Sequence, residues 1–109
     1  MRINHWLLLT LISLLAGTTA CNDLDLNVDV PKCIERKIKK ANPQQVWLWK
    51  SDATSYYYFV ADCCDRYNEL FDSDCNYICA PDGGLTGAGD KKCPEFPEPV
   101  EKTLIWEKK

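Results

Sequence analysis

The residues that could do chemistry in this 109-residue chain are its cysteines, its carboxylates and one glycine-rich loop. The loop, CAPDGGLTGAGDKKCP from Cys79 to Pro94, has the glycine spacing of a phosphate-binding loop between Gly84 and Gly89. Asp90 stands where that motif requires lysine, and its carboxylate would repel a phosphate. We therefore expect a structural or contact loop whose glycines adopt positive φ. These glycines are Gly83, Gly84, Gly87 and Gly89.

The chain contains a single histidine. The one histidine, His5, lies in an N-terminal segment that reads as a signal peptide. Cleavage of that segment would leave no histidine in the mature chain. This would exclude Ser–His and Cys–His nucleophiles and His-ligated metals. No CxxC motif occurs in the sequence. Paired carboxylates can still act as acid and base, but a domain this small leaves little depth for a cleft. The sequence therefore predicts neither an enzyme nor a cofactor.

Three oxygen-bearing residues form a weak calcium candidate. Asp72, Asp74 and Asn76 have the spacing of the first three ligands of an EF-hand loop. Tyr77 stands in the position of the required glycine, and Gly83 stands in the position of the bidentate glutamate. We favour a polar surface turn over a metal site.

The first 20 residues resemble a secretory signal peptide. Arg2 precedes an apolar run from Trp6 to Ala16, which is too short for the roughly 20 residues that span a bilayer. Small residues directly before Cys21 are typical of a bacterial lipoprotein, in which that cysteine is lipidated. The same residues would suit an ordinary signal peptidase, which would give a secreted protein. We expect a protein of the bacterial cell envelope, lipid-anchored on the periplasmic face or the cell surface.

The cysteine count fits a lipidated Cys21. The chain has seven cysteines, and lipidation would leave six that can form three disulfides. Each disulfide would add about 2–4 kcal/mol to a domain too small to rely on its core alone. We expect the adjacent Cys63 and Cys64 to bond to different partners, because a vicinal ring is strained; a redox-active vicinal disulfide is the alternative. The six candidates, for which 15 pairings are open, are Cys33, Cys63, Cys64, Cys75, Cys79 and Cys93.

The charge argues against nucleic acid as a partner. The formal net charge is −3 at pH 7, and removal of Arg2 with the signal would make it more negative. The one basic cluster is best explained as the solvated face of a helix. Its members are Lys32, Arg36, Lys37, Lys39 and Lys40.

The N-terminal part of the mature chain predicts a tether and one helix. Residues 21–30 alternate polar and apolar side chains, which fits either an edge strand or an acidic tether behind the lipid. The segment from Pro31 to Ala41 places Ile34 and Ile38 on one helical stripe, and Asn42-Pro43 should end that helix.

The rest of the chain predicts an antiparallel sheet. Residues 46–50 and 55–60 predict a hairpin around a polar turn at 51–54. Residues 61–74 predict a brief helical turn, and residues 76–80 and 103–107 predict short strands. The expected fold is a small disulfide-stabilised α+β domain over residues 31–109, with one helix on about three strands and a long Cys/Gly-rich loop.

The hairpin also concentrates aromatic side chains. We favour packing of this set beneath the helix over the alternative, a platform for stacking on sugars. The set consists of Trp47, Trp49, Tyr56 and Tyr58.

Several motifs together resemble a known family. They are CIE at Cys33, CCD at Cys63, the block ICAPDGG-x-x-G-x-GD-x-x-CP that ends at Pro94, and LIW at Leu104. Over about residues 31–107 the chain is similar to small cysteine-containing lipoproteins of the Bacteroidota, which are domains of unknown function. The resemblance implies an envelope location and transfers no catalytic or binding residue.

These observations lead us to expect a lipid-anchored binding or structural module without catalytic activity. Its partners would be the membrane, through the lipid, and an envelope protein or a glycan. One alternative is a secreted inhibitor that presents residues 83–92, and another is an accessory domain that binds carbohydrate or calcium.

Overall fold

The computed structural model describes Leu24, Leu26 and residues 28–109. One helix, α1 (Lys32–Ala41), precedes five strands: β1 (Gln45–Ser51), β2 (Thr54–Val60), β3 (Tyr67–Asp72), β4 (Tyr77–Gly83) and β5 (Val100–Glu107). The strands form one antiparallel sheet in the order β4-β3-β2-β1-β5. The α+β class is confirmed, but the sheet has five strands and the expected three was wrong.

Helix α1 begins and ends where its sequence indicates. Pro31 precedes the first turn with φ −59°, and Asn42 closes the helix in the left-handed region and donates its N–H to the Ile38 carbonyl. Ile34 and Ile38 are 0% and 1% exposed. Their spacing of four places both on the stripe that faces the sheet. Among the described residues, no helix has the length and apolar character needed to cross a membrane.

The predicted hairpin is confirmed as β1 and β2, with a tighter turn than expected. Ser51 pairs with Thr54, so the connection consists of Asp52 and Ala53 alone. Asp52 has φ 59°, as a two-residue hairpin turn requires at its first position.

Residues 61–74 contain strand β3, so the brief helical turn expected there was wrong. Its neighbouring residues Leu70 and Phe71 are 0% and 6% exposed, on opposite faces of the sheet. Polar residues between the apolar ones obscured this strand in the sequence. One of these polar residues, Asn68, is partly buried, and its side-chain oxygen accepts a hydrogen bond from the Ala61 backbone N–H.

The helix covers one face of the sheet. The buried residues of this layer are Ile34, Ile38, Val46, Tyr57, Phe59, Phe71 and Ile105. The hairpin aromatics alternate with them along β1 and β2 and therefore lie on the second face. The expectation that the aromatic set packs beneath the helix was wrong, because the strand period of two directs it away from α1.

The segment before α1 packs on the helix-side layer. Leu24, Leu26, Val28 and Val30 are partly buried against it, and the described residues of this segment belong to no strand. The edge-strand alternative is therefore not seen there. The predicted signal peptide and Cys21 lie outside the described residues.

Of the 15 possible sets of three disulfides, the structure contains the set Cys33–Cys75, Cys63–Cys64 and Cys79–Cys93. The expectation that Cys63 and Cys64 bond to different partners was wrong. Among the described residues, the other four cysteines pair among themselves, and the two adjacent sulfurs are left with each other.

Candidate functional site

An open pocket of about 390 Å³ lies between the C-terminal half of α1 and strand β3. Its volume falls in the range of small-ligand sites. We name it the α1–β3 pocket. Its lining residues are Lys37, Ala41, Pro43, Phe59, Ala61, Asp62, Asp65, Arg66, Tyr67, Glu69 and Phe71.

The base of the pocket is aromatic. Phe59 and Phe71 meet edge to face at 5.3 Å between ring centroids, and both are buried in the helix-side layer. Lys37 places its Nζ 4.3 Å from the centroid of the Phe71 ring. This cation–π contact holds the amine at the wall of the pocket.

The rim of the pocket is mostly acidic. Asp62 is bonded to Arg66 at 3.5 Å and to Lys108 at 3.6 Å. Among the described residues, no ion pair engages Asp65 or Glu69. The rim therefore offers two carboxylates to a cation that enters from solvent.

The glycine loop, residues 83–92, protects the outer edge of the sheet. None of its residues lines the α1–β3 pocket, although the Gly84 N–H donates to the carbonyl of Arg66, which does. It folds back along β4, and the Asp90 N–H donates to the Ala80 carbonyl at 3.0 Å. Gly83 and Ala88 form a parallel bridge. All four glycines have the predicted positive φ, between 76° and 84°. The loop thus covers backbone groups of β4 that would otherwise be open to another strand.

Asp90 fastens this loop through its side chain. Its Oδ1 accepts the N–H groups of Ala80 at 3.1 Å and Lys92 at 2.9 Å, and its Oδ2 accepts the hydroxyl of Tyr77. The hydrogen bond from Tyr77 lowers the pKa of Asp90 below its ordinary 3.8. Burial, and then the carboxylate of Asp90, raise the pKa of Tyr77 from 10.0 to about 12.

These two shifts predict how Tyr77→Phe changes with pH. A lowered Asp90 pKa stabilises the fold above pH 3.8 and is lost in acid; a raised Tyr77 pKa stabilises it below pH 10.0 and is lost as pH rises to about 12. The loss of unfolding free energy in Tyr77→Phe should be constant between about pH 5 and pH 9 and should shrink beyond both limits. Urea melts at each pH measure it. Tyr67→Phe is the control, because Tyr67 and Tyr77 are 46% and 45% exposed, and an identical profile there would contradict the prediction.

The calcium candidates form the turn between β3 and β4. Asp72 Oδ1 accepts the N–H groups of Asp74 and Asn76, both at 2.9 Å, and Asp72 Oδ2 accepts the Asn76 amide at 3.1 Å. Burial acts to raise the pKa of Asp72, but these hydrogen bonds outweigh it and lower the pKa below 3.8. Within the part of the chain that the structure describes, no three His, Cys, Asp or Glu residues are grouped to hold a metal ion. The geometry gives Asp72 the role of organising a turn.

The aromatic set on the second face is largely covered. Phe96 packs edge to face on Tyr56 at 5.0 Å and on Trp49 at 6.4 Å, and Lys102 lies 4.2 Å above the Trp49 ring. Phe96 belongs to the proline-rich segment 94–99, and Ser51 holds this segment by donating its hydroxyl to the Pro97 carbonyl at 2.6 Å. The rings therefore form a second packed layer.

A polar network closes the same face beside the aromatic rings. Asp82 accepts the Tyr58 hydroxyl at 2.6 Å and the Asn68 amide at 2.9 Å. Burial, and then the bond to Asp82, raise the pKa of Tyr58 well above 10.0. Tyr58 is therefore a structural donor.

Sequence reasoning did not find the α1–β3 pocket. Its charged residues drew attention only as a helix face and as scattered carboxylates. Lys37 and Glu69 are 32 positions apart, and no local motif links them.

Most of the chain matches a known protein family. Residues 32–108 match a domain of unknown function, DUF6970. The chain belongs to the DUF6970 family. No curated protein and no solved structure matches it.

The DUF6970 region contains the helix and all five strands of the described fold. The whole α1–β3 pocket lies within it, as do the three cysteine pairs. The segment that packs before α1 and the predicted signal lie outside it. The pocket is thus built entirely from the family domain.

Proposed function

We propose that this chain is an exported, lipid-anchored binding module of the bacterial cell envelope, without catalytic activity. We further propose that it is a lipoprotein of the Bacteroidota, on the sequence resemblance. The α1–β3 pocket is its binding site. The ligand is a peptide segment that carries an apolar side chain and a lysine or arginine.

The observation that carries this proposal is the combination of an aromatic base with an acidic rim. Phe59 and Phe71 would receive an apolar side chain. Asp65 and Glu69 would pair with a cation, because Asp62 is already bonded to Arg66 and Lys108. A peptide supplies both groups a few ångströms apart, so it fits the pocket better than a uniformly polar ligand.

Phage-displayed heptapeptides test the binding site. Selection on the folded protein should enrich peptides with a basic residue next to an aliphatic or aromatic one. Calorimetry with the selected peptide should show at least about tenfold weaker binding to Asp65→Asn/Glu69→Gln, since one charge-assisted contact contributes about 1.4 kcal/mol or more. Glu101→Gln on β5 is the matched control and should bind normally. Equal affinity for the double variant, or no enriched peptide, would rule the site out.

The N-terminal segment supports an anchor close to the membrane. Leu24 packs on the domain, and three extended residues span at most about 11 Å, so a lipid on Cys21 would hold the domain beside the bilayer. Cells expressing the chain should incorporate labelled palmitate. Cys21→Ser should lose the label and Cys63→Ser should keep it; label retained in Cys21→Ser would disprove the anchor.

A secreted inhibitor remains a second candidate because of one residue at the tip of the glycine loop. Leu85 is 82% exposed, while the Cys79–Cys93 bond and Asp90 hold the loop at its base. A fixed loop with an exposed leucine suits insertion into the cleft of a protease. Inhibition of envelope proteases that disappears in Leu85→Asp would support this candidate, and no inhibition by the wild-type protein would remove it.

A further inference from the structure

The adjacent pair Cys63–Cys64 differs from the other two disulfides in what it connects. Cys33–Cys75 joins residues 42 positions apart, and Cys79–Cys93 joins residues 14 positions apart. Both therefore restrict the unfolded chain and stabilise the fold. Cys63–Cys64 closes a ring across a single peptide bond, so its opening releases no long loop. The fold should survive that opening.

The pair is also the accessible one. Both Cys63 and Cys64 are exposed, whereas Cys79 is fully buried and Cys33 and Cys75 pack against the helix-side layer. Thiol–disulfide exchange requires an attacking thiolate to reach a sulfur atom along the S–S axis. An external reductant can meet that requirement at this pair more readily than at the other two.

The position of the pair connects it to the α1–β3 pocket. Cys63 and Cys64 lie between Asp62 and Asp65, which both line the pocket. Cys64 has φ 96°, a backbone conformation that residues with a side chain disfavour. Opening the ring removes the constraint that holds this conformation. The adjoining rim carboxylates would then be free to shift.

We propose that Cys63–Cys64 is a reversible redox site, opened by a dithiol reductant while Cys33–Cys75 and Cys79–Cys93 stay closed. One thiolate of the reductant attacks a sulfur of the pair, the S–S bond breaks, and the released cysteine thiolate takes up a proton. The second thiol of the reductant then resolves the mixed disulfide. The dithiol loses two electrons and becomes a cyclic disulfide, and Cys63 and Cys64 each end as a thiol.

Tryptic mapping can follow each pair separately. Cleavage after Lys50 and Arg66 gives a peptide, residues 51–66, whose only cysteines are Cys63 and Cys64. In the untreated protein this peptide should be free of any other peptide and 2 Da lighter than its dithiol form. With increasing dithiothreitol and iodoacetamide trapping, it should become alkylated at a concentration at least about tenfold below that needed for the peptides with Cys33 or Cys93.

Three results of this mapping would overturn the proposal: a 51–66 peptide linked to another peptide, free thiols at both positions before reduction, or opening together with the other pairs. Backbone NMR shifts should change on selective reduction only around residues 61–69 and Lys37. Cys63→Ser/Cys64→Ser should show the reduced pattern and no further response to dithiothreitol. A general loss of dispersion on selective reduction would show that the pair is structural. The proposal does not depend on the peptide ligand, since none of these measurements uses one.

Discussion

Replacement of Gly89 by alanine should destabilise this domain far more than the same replacement at Gly87. Both glycines have positive φ, 76° and 81°, which costs an alanine about 1 kcal/mol. A methyl group on Gly89 would also overlap the Ala80 carbonyl oxygen and lie 2.8 Å from the Asp82 nitrogen, whereas one on Gly87 meets nothing within 4 Å. We expect a loss of about 3 kcal/mol or more for Gly89→Ala and about 1 kcal/mol for Gly87→Ala.

Urea denaturation of the two variants measures this difference directly. Hydrogen exchange of the Asp90 amide, which donates to Ala80, should show whether the glycine loop has left the edge of β4. Equal midpoints for Gly87→Ala and Gly89→Ala would mean that the close approach of the loop to β4 does not contribute to stability.

Removal of the Cys33–Cys75 bond should have the other large effect. This disulfide joins the first turn of α1 to the connection between β3 and β4, across 42 positions of the chain. The loop-entropy relation gives about 4 kcal/mol for such a span, a large share of the total stability of a small domain. Cys33→Ser/Cys75→Ser should therefore be largely or wholly unfolded at 37 °C.

The other two pairs provide graded controls for this measurement. The same relation gives about 3 kcal/mol for Cys79→Ser/Cys93→Ser, because its span is 14 positions, and about 1 kcal/mol or less for Cys63→Ser/Cys64→Ser, which are adjacent. Urea melts under non-reducing conditions should rank the three variants in that order. Destabilisation of the Cys63/Cys64 variant by as much as the Cys33/Cys75 variant would contradict the ranking and also the selective opening proposed above.

If the redox proposal holds, the α1–β3 pocket responds both to a peptide ligand and to the redox state of Cys63–Cys64. A peptide would bind between α1 and β3, and the reduction of Cys63–Cys64 would change the segment that carries Asp62 and Asp65. The protein would then report the thiol state of its surroundings through its affinity for a partner. Binding of the selected peptide before and after selective reduction would measure this coupling.

Local sequence determined the parts of this fold whose conformations depend on neighbours in the chain. The ends of α1 follow from Pro31 and Asn42, since proline suits the first turn and a left-handed residue closes the last one. The β1–β2 hairpin follows from two β-prone runs around a polar turn. The positive φ values of the glycine loop follow from glycines that lack a Cβ.

The tertiary structure alone decided what depends on distant contacts. Strand β3 lacks a regular alternation of polar and apolar residues, and it is a strand because β2 and β4 supply its hydrogen bonds on both sides. The cysteine pairing was open among 15 arrangements until packing brought α1 beside the β3–β4 turn. The α1–β3 pocket joins residues from α1, β2 and β3 that no spacing relates, because a cavity forms only where separate elements meet.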